Sequence, residues 1–444
     1  MLDSDSQVRG RFIRLFPFYY GWIILMVGSI GVLASIPGQT MGVSVFTDHF
    51  IEHLQLSRVR ISTAYMIGTL TSSLVIPRAG VFYDRMGARL TASIAAIFLA
   101  LFLLLLSQLP IIVSWLSNLT GVAFTTLAMI IVVIGFFGIR FFGQGIITIV
   151  SRGMVARWFS SRRGFVVGIM GVATAFGFSY APQPLQQLIG RYGWNGALLA
   201  LSLILALVFL PIVLIFFRSD PDSCGMEVEE GLAPRSGNQH AYALDAVHEL
   251  TVDEAKKRPD YWLIMAMIGY WTLFNTAFTF HIVSIFGEVG FTATEAVKIF
   301  LPISVISVIA QFIGSYASDR ISLKILYGVF GLFMLLASIS LAYIYLPAAR
   351  YVAILGYGVA NGLFSMLQIV TWPKLYGRRH LGAVSGFAMS IAVAGSAIGP
   401  WLFSLVYQVT GAYRNAGIAG VGVTILLIFL VVKTRFAPAE KVSD

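Results

Sequence analysis

Two titratable side chains fall inside long apolar stretches: Arg140, within residues 122–155, and His281, within residues 260–288. Arg140 precedes Arg152 by twelve residues, about 18 Å along a helix, which places it far from either end of its stretch. A cation at that depth is costly, so it either serves a function or is bonded to carbonyls of neighbouring helices. Both readings stand for Arg140. Histidine is the side chain that exchanges protons near neutral pH. His281 lies on a stripe with Tyr270, Phe274 and Ala277; its alternative role is that of a hydrogen-bonded packing residue. Arg140, Gln144, Thr148 and Ser151 share one helical face.

Uncharged polar stripes accompany these two groups. Residues 292–317 hold Ser304, Ser307, Gln311 and Ser315, and residues 350–374 hold Asn361, Ser365, Gln368 and Trp372. A helix facing only lipid would carry no such stripe. Residues 17–47 hold Ser35, Pro37-Gly38, Gln39 and Gly42. A Pro-Gly break at membrane depth frees backbone groups and either lines a cavity or is a packing kink. The chemistry on offer is hydrogen bonding plus one cation and one proton acceptor, which suits recognition of a small polar solute. The expected contacts are Gln39, Arg140, Gln144, Tyr270, His281, Gln311, Asn361 and Gln368, with Arg140 and His281 as the candidates for proton coupling.

Other chemistry is not expected. No paired carboxylates or metal-ligand clusters lie at membrane depth, which argues against an enzyme. No phosphate-binding lysine loop is present, which argues against ATP drive. Asp48, His49, Glu52 and His53 cluster at the end of the first apolar stretch and read as a solvated helix end, so no metal and no cofactor is expected. The single cysteine, Cys224, rules out a disulfide framework. Asn118-Leu-Thr120 matches a glycosylation acceptor, a short pattern of little weight.

The elements that must position these residues follow from composition. Of the 444 residues 58% are hydrophobic and 11% charged, against about 25% charged in soluble domains. Such a chain is solvated by lipid. With roughly 20 residues per span, twelve helices are expected: 17–47, 59–83, 88–109, 122–155, 163–190, 194–217, 260–288, 292–317, 322–346, 350–374, 382–409 and 413–433. The fold class is an all-α membrane protein of two pseudo-symmetric six-helix bundles. Its expected parts are an N-terminus (1–16), a first bundle (17–217), a polar linker (218–259), a second bundle (260–433) and a C-terminus (434–444). The N-terminal apolar run continues into a spanning helix, so no cleavable signal is expected.

The net charge of +10 follows membrane sidedness rather than nucleic-acid binding. One side carries 23 of the 30 Lys and Arg, the other carries 6, and Arg140 lies between. This split puts both termini and the linker in the cytoplasm.

The two halves echo each other. Gly80-Val-Phe-Tyr-Asp84-Arg85-Met-Gly87-Ala-Arg89 follows helix 2, and Ser315-x-x-x-Asp319-Arg320 follows helix 8. Trp158 precedes Arg162-Arg163, and Trp372 precedes Arg378-Arg379. Gly164, Gly168 and Pro182 recur with the same spacing as Gly382, Gly386 and Pro400. Gly80 would permit close helix contact, Asp84 would pair with an arginine or a helix N-terminus, and Gly87 would permit a tight turn.

The first of these motifs resembles the loop 2–3 signature of the major facilitator superfamily. Phe18-Tyr19-Tyr20-Gly21-Trp22, Arg157-Trp158-Phe159-Ser-Ser-Arg162-Arg163-Gly164 and Arg140-Phe-Phe-Gly143-Gln144-Gly145 are similar to bacterial members of its monocarboxylate and oxalate/formate branch. The resemblance implies alternating access by two rocking bundles, gated by Gly80, Asp84, Arg85, Gly87, Arg89, Arg162, Arg163, Asp319, Arg320, Arg378 and Arg379. It also implies a cavity lined by helices 1, 4, 7, 8 and 10, small organic anions as cargo, protons as coupling ion, a bacterial inner membrane and a monomer. Where the branch carries charged residues this chain has Met41, Ser307, Gln311 and Ala388, leaving Arg140 or backbone donors to meet an anion. The alternatives are an uncoupled facilitator of a neutral or aromatic solute and a transporter-like receptor without flux.

Overall fold

The computed structural model describes residues 18–159, 163–221, 224, 226, 250–318, 320–376 and 381–436. Among the described residues all regular structure is helical. Eleven helical runs are long and apolar enough to cross a membrane, with mean hydropathy from 1.2 to 3.1. One of them, Gly168–Phe216, is two spans separated at Gly193, where φ is 71° and ψ is 169°. The expected twelve spans are therefore present, and they are numbered helix 1 to helix 12 below.

The chain divides into two compact units, Met1–Gly237 and Asn238–Asp444. In the second unit helices 7 and 11 (Pro259–Phe280 and Leu381–Thr410) pack together, as do helices 8 and 10 (Phe300–Ser318 and Ala349–Tyr376) and helices 9 and 12 (Leu323–Ala342 and Arg414–Lys433). In the first unit helices 2 and 3 share the run Arg58–Ser107, which packs on helix 4, while helix 1 (Gly21–Ala34) packs on the end of helix 4. Large apolar side chains such as Leu74, Leu207, Ile313, Val409 and Val432 point outward, as lipid solvation requires.

Several spans are less regular than the hydropathy pattern suggests. The stretch expected as one helix over 17–47 is broken: Gly21–Ala34 is followed by a 3-10 turn, Ile36–Gly38, and a short helix, Thr40–Ser44. The cause is Pro37, which supplies no N–H and cannot sit in a helix interior without loss of a bond. Helix 4 contains a π-helical turn, Ile139–Ile147, between Phe124–Gly138 and Thr148–Trp158. Helix 7 stops at His281, with φ −98° and ψ 11°, and resumes as Ile282–Gly287. Residues 110–121, expected as a loop, instead belong to a helix, Leu109–Thr120. Pro110 fits its first turn, where no N–H is needed, and Gly121 ends it in the left-handed region at φ 71°. Asn118 is therefore a helical residue rather than part of a loop.

In lipid, helices attract through close packing rather than hydrophobicity, so small residues sit where backbones meet. A Cβ at Gly362 would lie 2.2 Å from the Ser307 carbonyl oxygen and 2.8 Å from the Gln311 nitrogen. Helix 10 can approach helix 8 only because nothing protrudes there. Gly362→Ala is expected to cost about 1–3 kcal/mol through overpacking. Gly328→Ala meets nothing within 4 Å and is expected to be neutral or to gain up to about 1 kcal/mol of helix propensity. Apparent melting temperatures of the purified variants in one detergent measure both; a drop of equal size for the two would contradict the packing.

Candidate functional site

In the first unit the broken part of helix 1 and the π-helical turn of helix 4 face each other. The 3-10 turn at Ile36–Gly38 leaves the Gly38 carbonyl outside the regular helical ladder, and Arg140 Nη1 donates to it at 3.1 Å. Gly38 has no room for a side chain: a Cβ would lie 2.1 Å from the Ile139 oxygen and 2.9 Å from the Gln144 nitrogen. The Arg140 side chain is 2% exposed, and its guanidinium carbon stands 5.2 Å from the centre of the Tyr65 ring, a cation–π contact. The Tyr65 hydroxyl is 2.8 Å from Thr40 Oγ1.

A guanidinium carries five N–H donors. Arg140 Nε is buried and makes no hydrogen bond. Ion pairs among the described residues join Arg58 to Asp48 and Arg258 to Asp260, each at 2.6 Å, and none reaches Arg140. Among the described residues the cation is thus held by a carbonyl and a ring, with no carboxylate beside it.

The expected face of helix 4 is used, though not for one purpose. Arg140 addresses helix 1 at Gly38, Thr148 bonds Ser35 Oγ at 3.2 Å, and Ser151 Oγ lies against Gly31. Ser35 is a node, because Gln39 Nε2 also donates to its Oγ at 2.9 Å. Gln144 is half-buried and makes no side-chain hydrogen bond. Tyr65, Thr40 and Ser35 are additions to the expected set. In sequence Tyr65 is one aromatic among many in an apolar stretch and gives no sign of its cation.

In the second unit three of the expected contacts, Tyr270, His281 and Asn361, have internal partners. The Tyr270 hydroxyl donates to the Gly420 carbonyl at 3.1 Å and lies 3.0 Å from Ser338 Oγ, while Thr424 Oγ1 donates to it at 3.2 Å. Tyr270 therefore ties helix 7 to helices 9 and 12. His281 is 1% exposed, and its Nε2 is 2.8 Å from the Pro400 carbonyl oxygen. A carbonyl only accepts, so Nε2 carries the proton in this bond. Asn361 Oδ1 accepts from Trp271 Nε1 at 3.2 Å, and its Nδ2 donates to Asn275 Oδ1 at 3.5 Å. Gln311 and Gln368 are half-buried and make no side-chain hydrogen bond.

The loop motifs act through turn geometry and capping. Gly87 adopts φ 79° and ψ 170°, a conformation essentially confined to glycine, so the expected tight turn is present. The next residue, Ala88, donates its N–H to Ser219 Oγ at 2.8 Å, which caps helix 3 from the exit of helix 6. Ser219 gave no signal in sequence. Among the described residues a Cβ at Gly80 would meet nothing within 4 Å. Arg85 is exposed and Arg89 half-buried. Arg320 stacks on Tyr316 and donates to its carbonyl at 3.2 Å. Arg162, Asp319, Arg378 and Arg379 lie outside the described residues, as do the side chains of Asp84 and Arg163.

The aromatic motifs join helix ends. The Tyr19 hydroxyl donates to the Trp158 carbonyl, the Tyr20 hydroxyl to the Phe216 carbonyl at 3.0 Å, and Trp158 Nε1 to the Arg218 carbonyl at 3.1 Å. The starts of helix 1 and the ends of helices 4 and 6 are thereby tied together. The second unit repeats the arrangement, with Tyr261 beside Trp372 and Tyr376. Next to it, Arg258 holds the buried Asp260 through two bonds, at 3.0 and 2.6 Å. Burial alone would lower the Arg258 pKa, but these bonds outweigh it and raise the value above the ordinary one.

Of the four residues clustered after helix 1, Asp48 is taken by Arg58 at 2.6 Å. His49, Glu52 and His53 bring their ligand atoms within 4.8 Å of one another. Burial, and then the neighbouring His53, hold the His49 imidazole below its ordinary pKa.

The sequence profile described as Major Facilitator Superfamily matches residues 27–400. No curated protein matches the chain. Among solved structures, the chain is similar to a bacterial homolog of the human lysosomal transporter Spinster, in an inward-facing and occupied conformation. That match has 14% identity and a TM-score of 0.67, covering 96% of this chain and 100% of the other. It is also similar to the nucleoside transporter NupG, with 14% identity and a TM-score of 0.64, covering 92% of this chain and 98% of the other. At these identities the likeness concerns the fold.

The brace around the loop between helices 2 and 3 can be tested. Gly87→Ala is expected to cost about 1–3 kcal/mol, because the backbone conformation is strained for any side chain and the Cβ would lie 2.7 Å from Ser219 Oγ. Ser219→Ala removes one cap and is expected to cost about 1 kcal/mol. Thermal unfolding of the purified variants should rank Gly87→Ala below Ser219→Ala and both below the parent.

Proposed function

Because this chain belongs to the Major Facilitator Superfamily and is a multi-pass membrane transporter of a small solute, we propose that its cargo is a small organic carboxylate held by Arg140. One observation carries this reading: a guanidinium 2% exposed, with a buried unbonded Nε and no carboxylate partner among the described residues. A buried charge without a counter-charge is strongly unfavourable. An arriving carboxylate supplies that counter-charge and accepts the free donors in the two-pronged geometry that arginine favours. In the same unit the half-buried Gln144, which makes no side-chain hydrogen bond among the described residues, offers a donor and an acceptor for the rest of the molecule. The resemblance to the monocarboxylate and oxalate/formate branch points to the same cargo.

Proton symport fits this chemistry, since a carboxylate and a proton move together without net charge. His281 is the proton carrier in this reading. With Nε2–H engaged by Pro400, its titrating atom is Nδ1. The protein works by alternating access, with both termini on the cytoplasmic side of a bacterial inner membrane. A second reading, uncoupled passage of a neutral solute, draws on the uncharged Gln311 in helix 8.

The test separates binding from stability. Monocarboxylates, dicarboxylates, neutral amino acids and aromatic acids are compared for thermal stabilisation of the purified protein, then for uptake into liposomes under a pH gradient. Arg140→Gln is expected to abolish the shift given by a carboxylate, with binding weakened by about 2–5 kcal/mol, while the cargo-free protein loses at most the one bond to the Gly38 carbonyl, about 1 kcal/mol. A marked loss of cargo-free stability with carboxylate binding intact would make Arg140 a structural pin for the Gly38 carbonyl. His281→Gln is expected to end pH-driven uptake and spare counterflow. Uptake of a neutral solute that ignores pH would favour the second reading.

A further inference from the structure

A cavity of about 340 Å³ opens in the second unit between the turn Ala293–Val297 and the first residues of helices 8 and 10. Its polar lining is Glu295, Lys298 and Arg350, and its apolar wall includes Phe286, Ile299 and Pro302. The volume falls in the range of small-molecule sites.

The three charged side chains are exposed and are not used up by one another. Glu295 and Lys298 are three residues apart on one turn, a spacing at which such pairs commonly meet, yet no ion pair joins them. Glu295 is held by a capping box in which Oε2 accepts both Thr292 bonds, from N–H at 2.9 Å and from Oγ1–H at 2.8 Å. Its Oε1 accepts none, and Lys298 Nζ makes no bond among the described residues. Arg350 donates one N–H to the Tyr351 hydroxyl at 2.7 Å and stacks over that ring at 4.7 Å, which fixes the side chain and leaves other donors free.

The cavity also lies at the depth of lipid headgroups. It sits where two spans begin, with the exposed Tyr351 in its lining and the exposed Tyr343 and Tyr345 in the connection that leads to helix 10, and exposed tyrosines of this kind mark membrane interfaces. Along the helices below it Leu301, Val305 and Leu355 are exposed, a surface for acyl chains.

We propose that this cavity binds the headgroup of a phospholipid bearing a primary ammonium, a phosphatidylethanolamine. Lys298 and Arg350 hold the phosphate, Glu295 Oε1 accepts from the ammonium, and the apolar wall takes the glycerol backbone. Two cations and one carboxylate, unpaired among themselves, match a zwitterion of that order. A choline headgroup has no N–H to donate, and a glycerol headgroup has no cation for Glu295.

The test uses the purified, delipidated full-length protein, titrated with short-chain phosphatidylethanolamine, phosphatidylcholine and phosphatidylglycerol and with water-soluble phosphoethanolamine, read by thermal shift and native mass spectrometry. Phosphatidylethanolamine is expected to bind about tenfold tighter than phosphatidylcholine, the worth of one charge-assisted hydrogen bond. Glu295→Gln keeps the capping box, since Gln also serves at that position, and is expected to erase the preference while leaving the melting temperature in place. Lys298→Gln and Arg350→Gln are expected to weaken all three lipids about tenfold. Equal binding of all headgroups, or a preference that survives Glu295→Gln, would overturn the site. Phosphoethanolamine binding as tightly as the lipid would overturn its assignment to lipid.

Discussion

Inside hydrocarbon a backbone carbonyl outside the helical ladder has no water to turn to, and much of the first unit follows from how one such carbonyl is met. Pro37 breaks helix 1, the Gly38 oxygen is released, and Arg140 donates to it. The approach needs glycine at 38, because a Cβ would strike the Ile139 oxygen. It is accompanied by a π-helical turn over Ile139–Ile147, a distortion common at functional sites. Tyr65 covers the guanidinium, and Thr40 in turn bonds Tyr65. Each irregularity around Arg140 thus offsets another, and together they leave a cation whose Nε has no partner.

The internal duplication extends from sequence to packing. Tyr20 packs on Trp158 with ring centroids 5.5 Å apart, and Tyr261 packs on Trp372 at 6.5 Å. In both units an aromatic at the start of the first helix meets the tryptophan at the end of the fourth. These residues serve a structural purpose: Trp158 Nε1 holds the last turn before the linker, and the Tyr376 carbonyl accepts from Leu250 N at 2.9 Å where the chain re-enters the second unit. The aromatic motifs thus join helix ends in both units.

Hydropathy and charge made the spans legible to within a few residues, because lipid leaves little choice of where an apolar run of twenty residues can go. Arg140 and the Pro37-Gly38 break were legible for the same reason: each is expensive in hydrocarbon, so its presence is a signal. What could not be read were features of ordinary composition. Tyr65 looks like any buried aromatic, Ser219 like any loop serine, and Leu109–Thr120 is too short to stand out beside its longer neighbours. The π-helical turn has no period of its own in the hydrophobic pattern. Gly80 shows the reverse case, a conspicuous glycine with no neighbour for a Cβ among the described residues.

The two units commit their polar groups differently. In the second unit Tyr270, Asn361 and the Nε2 of His281 are each bonded to a neighbouring helix. Displacing any of them would leave a buried acceptor or donor unmet, at a cost of about 1–3 kcal/mol. They are suited to holding helices 7, 9, 10, 11 and 12 in register. In the first unit Arg140 has one carbonyl for five donors, so a new acceptor can be added without breaking an old bond. The room for an added acceptor in the first unit is thus at Arg140, where helices 1, 2 and 4 meet.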